Sequence, residues 1–354
     1  MGNWNDIHSE IGEGLRTSAY DMVRRRYLRK LADLTGRNTV AYYSGFLQKA
    51  SPDTHPLIII NDDDKNGFMA TFHGMNFESG LDLIVHSPGG DVAATESIID
   101  YVRSKFGEDI RVIVPQISMS GGTMLALAGR SIVMGSHSNL GPIDPQFGLI
   151  PAAALLEEFE RAKREVAADP NTALIWQAII QHYQPALLGK ADRAIKWSHE
   201  IAFRALTDGM LKGREDAEVV ANRIVAFLIS HDTHHAHNRH IHRDDLRQIG
   251  LTIVDLEDDA ELQDAVLSVH HAFMNTLSNT AAVKLIENDR GIALVKQMAI
   301  MQQGGMPRPA VPAPRPAPAP QPEQQVTFDL TALLAQLTWR QRVKLALRSL
   351  GILR

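Results

Sequence analysis

Two glycine pairs, each set just beyond a short apolar run, constrain this chain more than any other feature. Leu81-Asp82-Leu83-Ile84-Val85 runs into Ser87-Pro88-Gly89-Gly90; Arg111-Val112-Ile113-Val114 stops at Pro115, shortly before Ser120-Gly121-Gly122. Short apolar runs bounded by turn residues read as buried strands. A helical pattern follows each pair: Val92, Ile98, Ile99, Val102 and Phe106 recur on one face, and residues 121–127 open a second helix. Leu57-Ile58-Ile59-Ile60, held between Pro56 and Asn61-Asp62-Asp63-Asp64, reads as another buried strand, as does Ile132-Val133-Met134. Leu251-Thr252-Ile253-Val254 reads as one more short strand. Strands alternating with helices imply βαβ units and a largely parallel sheet, whose sites form outside the carboxyl ends of the strands. Both glycine pairs fall at that edge.

The chain has 354 residues, of which 44% are apolar, enough for one large core plus appendages. A formal charge of −5 argues against a dedicated nucleic-acid binder. The lack of cysteine excludes a disulfide framework, a thiol nucleophile and thiolate metal ligands. The start shows no apolar signal core, and no apolar run approaches the ~20 residues of a membrane span, so the expected location is the cytoplasm. Residues 1–50 read as an N-terminal helical segment carrying Arg24-Arg25-Arg26, and residues 51–300 as the catalytic-type domain, mostly helical beyond about residue 150, with amphipathic stretches at 157–166 and 191–206. Residues 301–326 form a proline-rich linker, with eight of the 17 prolines between 306 and 322. Residues 327–354 read as an amphipathic helix, with Trp339, Val343 and Leu347 on one face and Arg340, Lys344 and Arg348 on another. That helix suits a protein contact or peripheral association with an anionic membrane surface.

The chemistry concentrates at the two turns. Glycines let backbone approach a ligand closely, and amides beside a helix N-terminus can face a developing oxyanion. Ser120, between a strand end and a helix start, is placed as an exposed nucleophile would be, although Ser118 or Ser120 could equally cap the helix. The segments are about thirty residues apart in the same strand–turn–helix setting, so one can supply donors and the other a nucleophile.

At this point the chain resembles the Clp protease, signal peptide peptidase A and crotonase-like superfamily, and within it the serine dehydrogenase proteinase group. Ser87-Pro88-Gly89-Gly90 is similar to the superfamily's oxyanion-side turn, Ser120-Gly121-Gly122 to its nucleophile turn, and Met134-Gly135-Ser136-His137-Ser138-Asn139-Leu140-Gly141-Pro142-Ile143-Asp144-Pro145-Gln146 to a signature stretch of the narrower group. The resemblance implies an α/β fold built as a spiral of ββα units, a serine peptidase with nucleophile Ser120, and homo-oligomers acting on a peptide or protein. It also implies an oxyanion hole from the amides of Gly89, Gly90 and Gly121. No cofactor or metal is implied. No P-loop is present, so the activity is expected to be ATP-independent. A crotonase-type acyl-coenzyme A enzyme and a non-catalytic, membrane-associated scaffold are the alternatives on the same fold.

The group that activates the serine is open. His137, one strand beyond the nucleophile helix, is favoured as the base, with Asp144 orienting it. Lys163 and Lys190 are the lysine candidates, although Lys163 lies on a charged helix face. His231, His234, His235, His237, His240 and His242 form a dense tract; His231 and His235 have zincin spacing, but Asp232 replaces the glutamate that pattern needs. The tract reads as a polar loop, and Asp62-Asp63-Asp64 as a solvated turn.

Overall fold

The computed structural model describes residues 19–298, apart from 149, 231–233 and 235. The expected linker at 301–326 and helix at 327–354 lie outside the described residues. Helix α1 (Ala19–Thr35) contains Arg24-Arg25-Arg26 and leads to strand β1 (Asn38–Ser44). Then follow α2 (Asp64–Phe72), β2 (Leu81–His86), α3 (Val92–Phe106), β3 (Ile110–Val114), α4 (Gly121–Leu127) and β4 (Ser131–Met134). A helical excursion of α5 (Ala152–Ala168), α6 (Ala173–Ile180), α7 (Leu187–Thr207) and α8 (Ala217–Ile229) precedes β5 (Ile253–Asp255). Helix α9 (Ala260–Asn279) and the hairpin strands β6 (Ala282–Asn288) and β7 (Ala293–Gln297) close the described chain.

The seven strands form one sheet in the order β5-β4-β3-β2-β1-β6-β7. The first five are mutually parallel; β6 pairs antiparallel with both β1 and β7. Strands β1 and β2 are buried along their whole length, because helices cover both faces. Alternation along β1 sorts the two cores. Val40 and Tyr42 join the layer with α2, α3, α4, α7 and α8, while Ala41 and Tyr43 face α1 and α9.

The buried carboxylate of β2 is paired. Asp82, fully buried in β2, accepts from Arg37 Nε at 2.8 Å and Arg111 Nη2 at 2.6 Å. Stranding such a carboxylate by removing a partner typically costs about 3–5 kcal/mol. Helix α3 is capped by Asp91, whose side chain accepts from the Ala94 amide at 2.8 Å, and the helix ends at Gly107 with φ +58°. A cap of that kind is typically worth about 1 kcal/mol.

Three expectations need correction. Residues 38–44, expected within a helical segment, form a central strand between β2 and β6. The run at 57–60 is not a strand: a short helix spans His55–Ile58, and Ile60 then makes a single parallel bridge to Gly90. Asp64, expected in a solvated turn, is fully buried under Tyr42, Lys284 and Lys296.

Candidate active site

The two glycine turns are laced together beyond the carboxyl ends of β2 and β3. The Ser87 amide donates to the Ile117 carbonyl at 3.2 Å, and the Met119 amide to the Ser87 carbonyl at 2.9 Å. This brings Gly89 against Ser120. Gly89 has φ +92°, and a Cβ there would lie 2.6 Å from Ser120 Cβ and 2.8 Å from the Gly121 nitrogen. No side chain fits, which explains why the turn needs glycine.

Ser120 has φ +49° and ψ −117°, a conformation that L residues rarely adopt. It stands at the N-terminus of α4, yet its hydroxyl makes no capping hydrogen bond. The capping alternative is therefore not realised, and the Oγ is left for other chemistry. Thr123 supports the turn from below, its hydroxyl lying 2.9 Å from the carbonyls of both Ser118 and Gly141.

The amides around Ser120 are not equivalent. The Gly89 N–H donates to Ser87 Oγ at 3.1 Å. Those of Gly90 and Gly121 make no hydrogen bond among the described residues, and a Cβ on Gly121 would sit 3.4 Å from the Gly90 nitrogen. These two amides are the pair available to an oxyanion.

A cleft of about 710 Å³ opens above the turns. Gly89, Gly90, Ser120, Gly121 and His237 line it, with Phe46, Ile58, Ile59, Met124, Phe147 and Trp197 as apolar walls. Asp144 is buried, and its Oδ1 lies 2.7 Å from His237 Nδ1. Gln146 Nε2 holds the other carboxylate oxygen at 2.6 Å. His237 is about one-third exposed, and its Nε2 has no partner among the described residues. With Nδ1 taken up by the carboxylate, Nε2 is the nitrogen free to exchange a proton.

The other candidates lie elsewhere. His137 is exposed and does not line the cleft; its ring rests on Gly135, where a Cβ would fall 2.5 Å from Cε1. The imidazole within hydrogen-bond distance of Asp144 is that of His237 and not that of His137. Lys163 is exposed on α5 and pairs with Glu160 at 2.5 Å, and Lys190 is exposed on α7. Neither has the desolvation a lysine base requires, and neither lines the cleft. Within the histidine tract, His231 and His235 lie outside the described residues. His234 is buried, with Nε2 2.7 Å from the Phe227 carbonyl. Among the described residues no group of three or more His, Asp or Glu could hold a metal ion, and no helix is long and apolar enough to cross a membrane.

Comparison with known proteins agrees with this architecture. The chain is 33% identical over 152 residues to MJ1495, an uncharacterized protein of Methanocaldococcus jannaschii, covering 43% of this chain and 46% of the relative. It is 36% identical over 115 residues to MJ0137, another uncharacterized protein of that organism, covering 32% of this chain and 40% of the relative. The chain thus spans under half the length of each. Residues 23–286, which include both turns, Asp144 and His237, match the family model for ClpP-like SDH-type serine proteinases, and the chain belongs to that family.

Proposed function

We propose that this protein is an ATP-independent serine peptidase in which Ser120 is the nucleophile, His237 the general base and Asp144 the group that orients it. The observation that carries this reading is the shared cleft: a strained, uncapped Ser120 and an imidazole held by a buried carboxylate face the same space. Ser120 Oγ attacks the scissile carbonyl carbon while its proton passes to His237 Nε2. The carbonyl oxygen becomes an oxyanion and accepts from the Gly90 and Gly121 amides. Collapse of the tetrahedral intermediate breaks the C–N bond. His237 returns its proton to the leaving amine, and an ester to Ser120 remains. Water, deprotonated by His237, then releases the acid and restores the serine.

The apolar walls of the cleft suit an extended peptide segment with apolar side chains. The same reading brings with it the spiral ββα architecture and homo-oligomeric assembly of the superfamily, and a cytoplasmic location. The test is labelling of the full chain with a fluorophosphonate and location of the adduct by mass spectrometry. Stoichiometric modification of Ser120, lost in His237→Ala, is the expected result. A folded protein that takes up no label would overturn the reading. Turnover of an acyl-coenzyme A thioester that survives Ser120→Ala would assign the cleft to crotonase-type chemistry instead.

A further inference from the structure

The mechanism uses the Gly90 amide but does not explain what holds it in place. The segment 58–61 does so. Ile60 donates its N–H to the Gly89 carbonyl at 2.8 Å and accepts the Asp91 N–H at 2.9 Å, so Gly90 is clamped between two hydrogen bonds to one residue. The approach is close enough that a Cβ on Gly90 would lie 2.3 Å from the Ile60 nitrogen. Whatever fixes Ile60 therefore fixes the oxyanion turn.

Two side chains on paired strands grip the carbonyls just before it. Ser44, at the end of β1, donates to the Ile58 carbonyl at 2.7 Å. Lys284 of β6, directly opposite Ser44 in the antiparallel register, donates to the Ile59 carbonyl at 2.5 Å. Lys284 is fully buried and does not line the cleft, so it cannot touch substrate. Asp64 holds its ammonium at 2.8 and 2.9 Å. The same carboxylate accepts from Tyr42 at 2.8 Å, from the Asn61 amide at 3.1 Å and from Lys296 at 2.8 Å. Burial is the main force on the ammonium and draws its pKa down to about 8, against the opposing pull of Asp64. An ammonium is costly to bury, and a well-packed apolar pair commonly serves stability as well or better. A geometric duty accounts for one here.

We propose that Lys284 is a positioning residue: anchored by Asp64, it holds the Ile59 carbonyl and thereby sets Ile60 and the Gly90 amide in the geometry the oxyanion requires. Its catalytic consequence rests on the serine peptidase reading above, whereas its hold on the turn does not.

The experiment compares full-length wild type, Lys284→Met and Ser44→Ala by two readouts. The first is kcat and KM on a peptide ester, normalised to the fraction of Ser120 that a fluorophosphonate titrates. The second is amide hydrogen exchange across residues 86–92, which needs no turnover. Lys284→Met is expected to lower kcat by about 10–100-fold, with KM within about 3-fold, since a displaced donor weakens the transition state and not substrate binding. Exchange at 89–91 should quicken in parallel. Ser44→Ala, a milder change that removes a neutral hydroxyl and no charge, should do the same to a smaller degree. Unchanged exchange at 89–91 in a folded variant would overturn the positioning role whatever the activity does. Unchanged normalised kcat in both variants would overturn its catalytic consequence. Wild type that neither labels nor turns over would sink the peptidase reading itself, and the exchange data would still decide whether Lys284 holds the turn.

Discussion

Asp144 and His237 lie 93 positions apart in the chain and meet at 2.7 Å. The whole helical excursion from α5 to α8 lies between them in sequence, and its return delivers an imidazole to a carboxylate just beyond the nucleophile turn. The carboxylate faces Nδ1, so the neutral ring is fixed as the tautomer with its proton on Nδ1 and its lone pair on Nε2. That is the form a serine needs as its base.

Disrupting this pair should separate the two histidine candidates. His237→Ala and Asp144→Asn are each expected to lower kcat by about 10³–10⁴-fold, the latter through loss of the correct tautomer. His137→Ala, removing an exposed ring that rests on Gly135, should change kcat less than about 3-fold. Steady-state hydrolysis of a peptide ester, beside fluorophosphonate labelling rates, reads both. The reverse pattern would return the role of base to His137.

The strain at Ser120 gives a prediction about stability. Glycine adopts φ +49° without penalty, whereas alanine carries the same backbone cost as serine. Ser120→Gly should therefore be more stable than Ser120→Ala by about 1 kcal/mol despite the extra freedom of glycine in the unfolded chain. Both should be inactive. Urea unfolding of the two variants measures the difference, and an alanine variant as stable as the glycine one would mean that the turn relaxes.

Gly89 should tolerate no side chain. Alanine at φ +92°, with Cβ 2.6 Å from that of Ser120, must push apart the two turns that carry the hydroxyl and the donors. Gly89→Ala is expected to unfold more easily by about 2–3 kcal/mol and to label at least ~100-fold more slowly. Thermal melts with labelling kinetics check both, and a stable, fully reactive variant would contradict the packing described.

What was legible in the sequence was local. The glycine turns, the start of α4 at Gly121 and strands β2 to β4 follow from apolar runs meeting glycine within a few residues. Strand β1 is hard to read because Asn38-Thr39 and Ser44 break its apolar run, although Tyr42-Tyr43 and Val40 are strand formers. The run at 57–60 misled because burial alone does not distinguish a strand from a short helix followed by a bridge. Asp144 and His237 each carry a local signal, one as a carboxylate beside a turn and the other as part of a histidine tract. Their pairing depends on chain closure over the helical excursion, which no periodicity reports. The buried charge of Lys284 did leave a trace, a lysine in the middle of Ala282-Val283-Lys284-Leu285-Ile286, where an edge or surface strand would alternate polar and apolar residues.

Behind the turns, His86 and His270 set an acid limit on the fold. Both rings are buried, 5.6 Å apart by centroid, with Tyr43 and Phe46 tilted against His86. Burial pushes His86 down to about 3, slightly offset by the Ile117 backbone. Burial likewise lowers His270, and any positive charge on His86, His271 or His137 would lower it further; the Tyr43 hydroxyl lies 3.3 Å from His270 Nδ1. The folded pKa values lie below the unfolded value near 6.5, so above that pH neither state binds the extra protons and stability is flat. As pH falls below about 6.5 the unfolded chain protonates these rings and the native state does not, so each contributes a loss approaching about 1.4 kcal/mol per pH unit, continuing down to its folded pKa. Urea unfolding between pH 7.5 and about 5, above the range where most carboxylates titrate, should show this decline. His86→Phe, which keeps a ring among Tyr43 and Phe46 but cannot take up a proton, should remove roughly half of the slope these two rings contribute. An unchanged slope in that variant would mean that His86 is already protonated, or solvated, in the native protein.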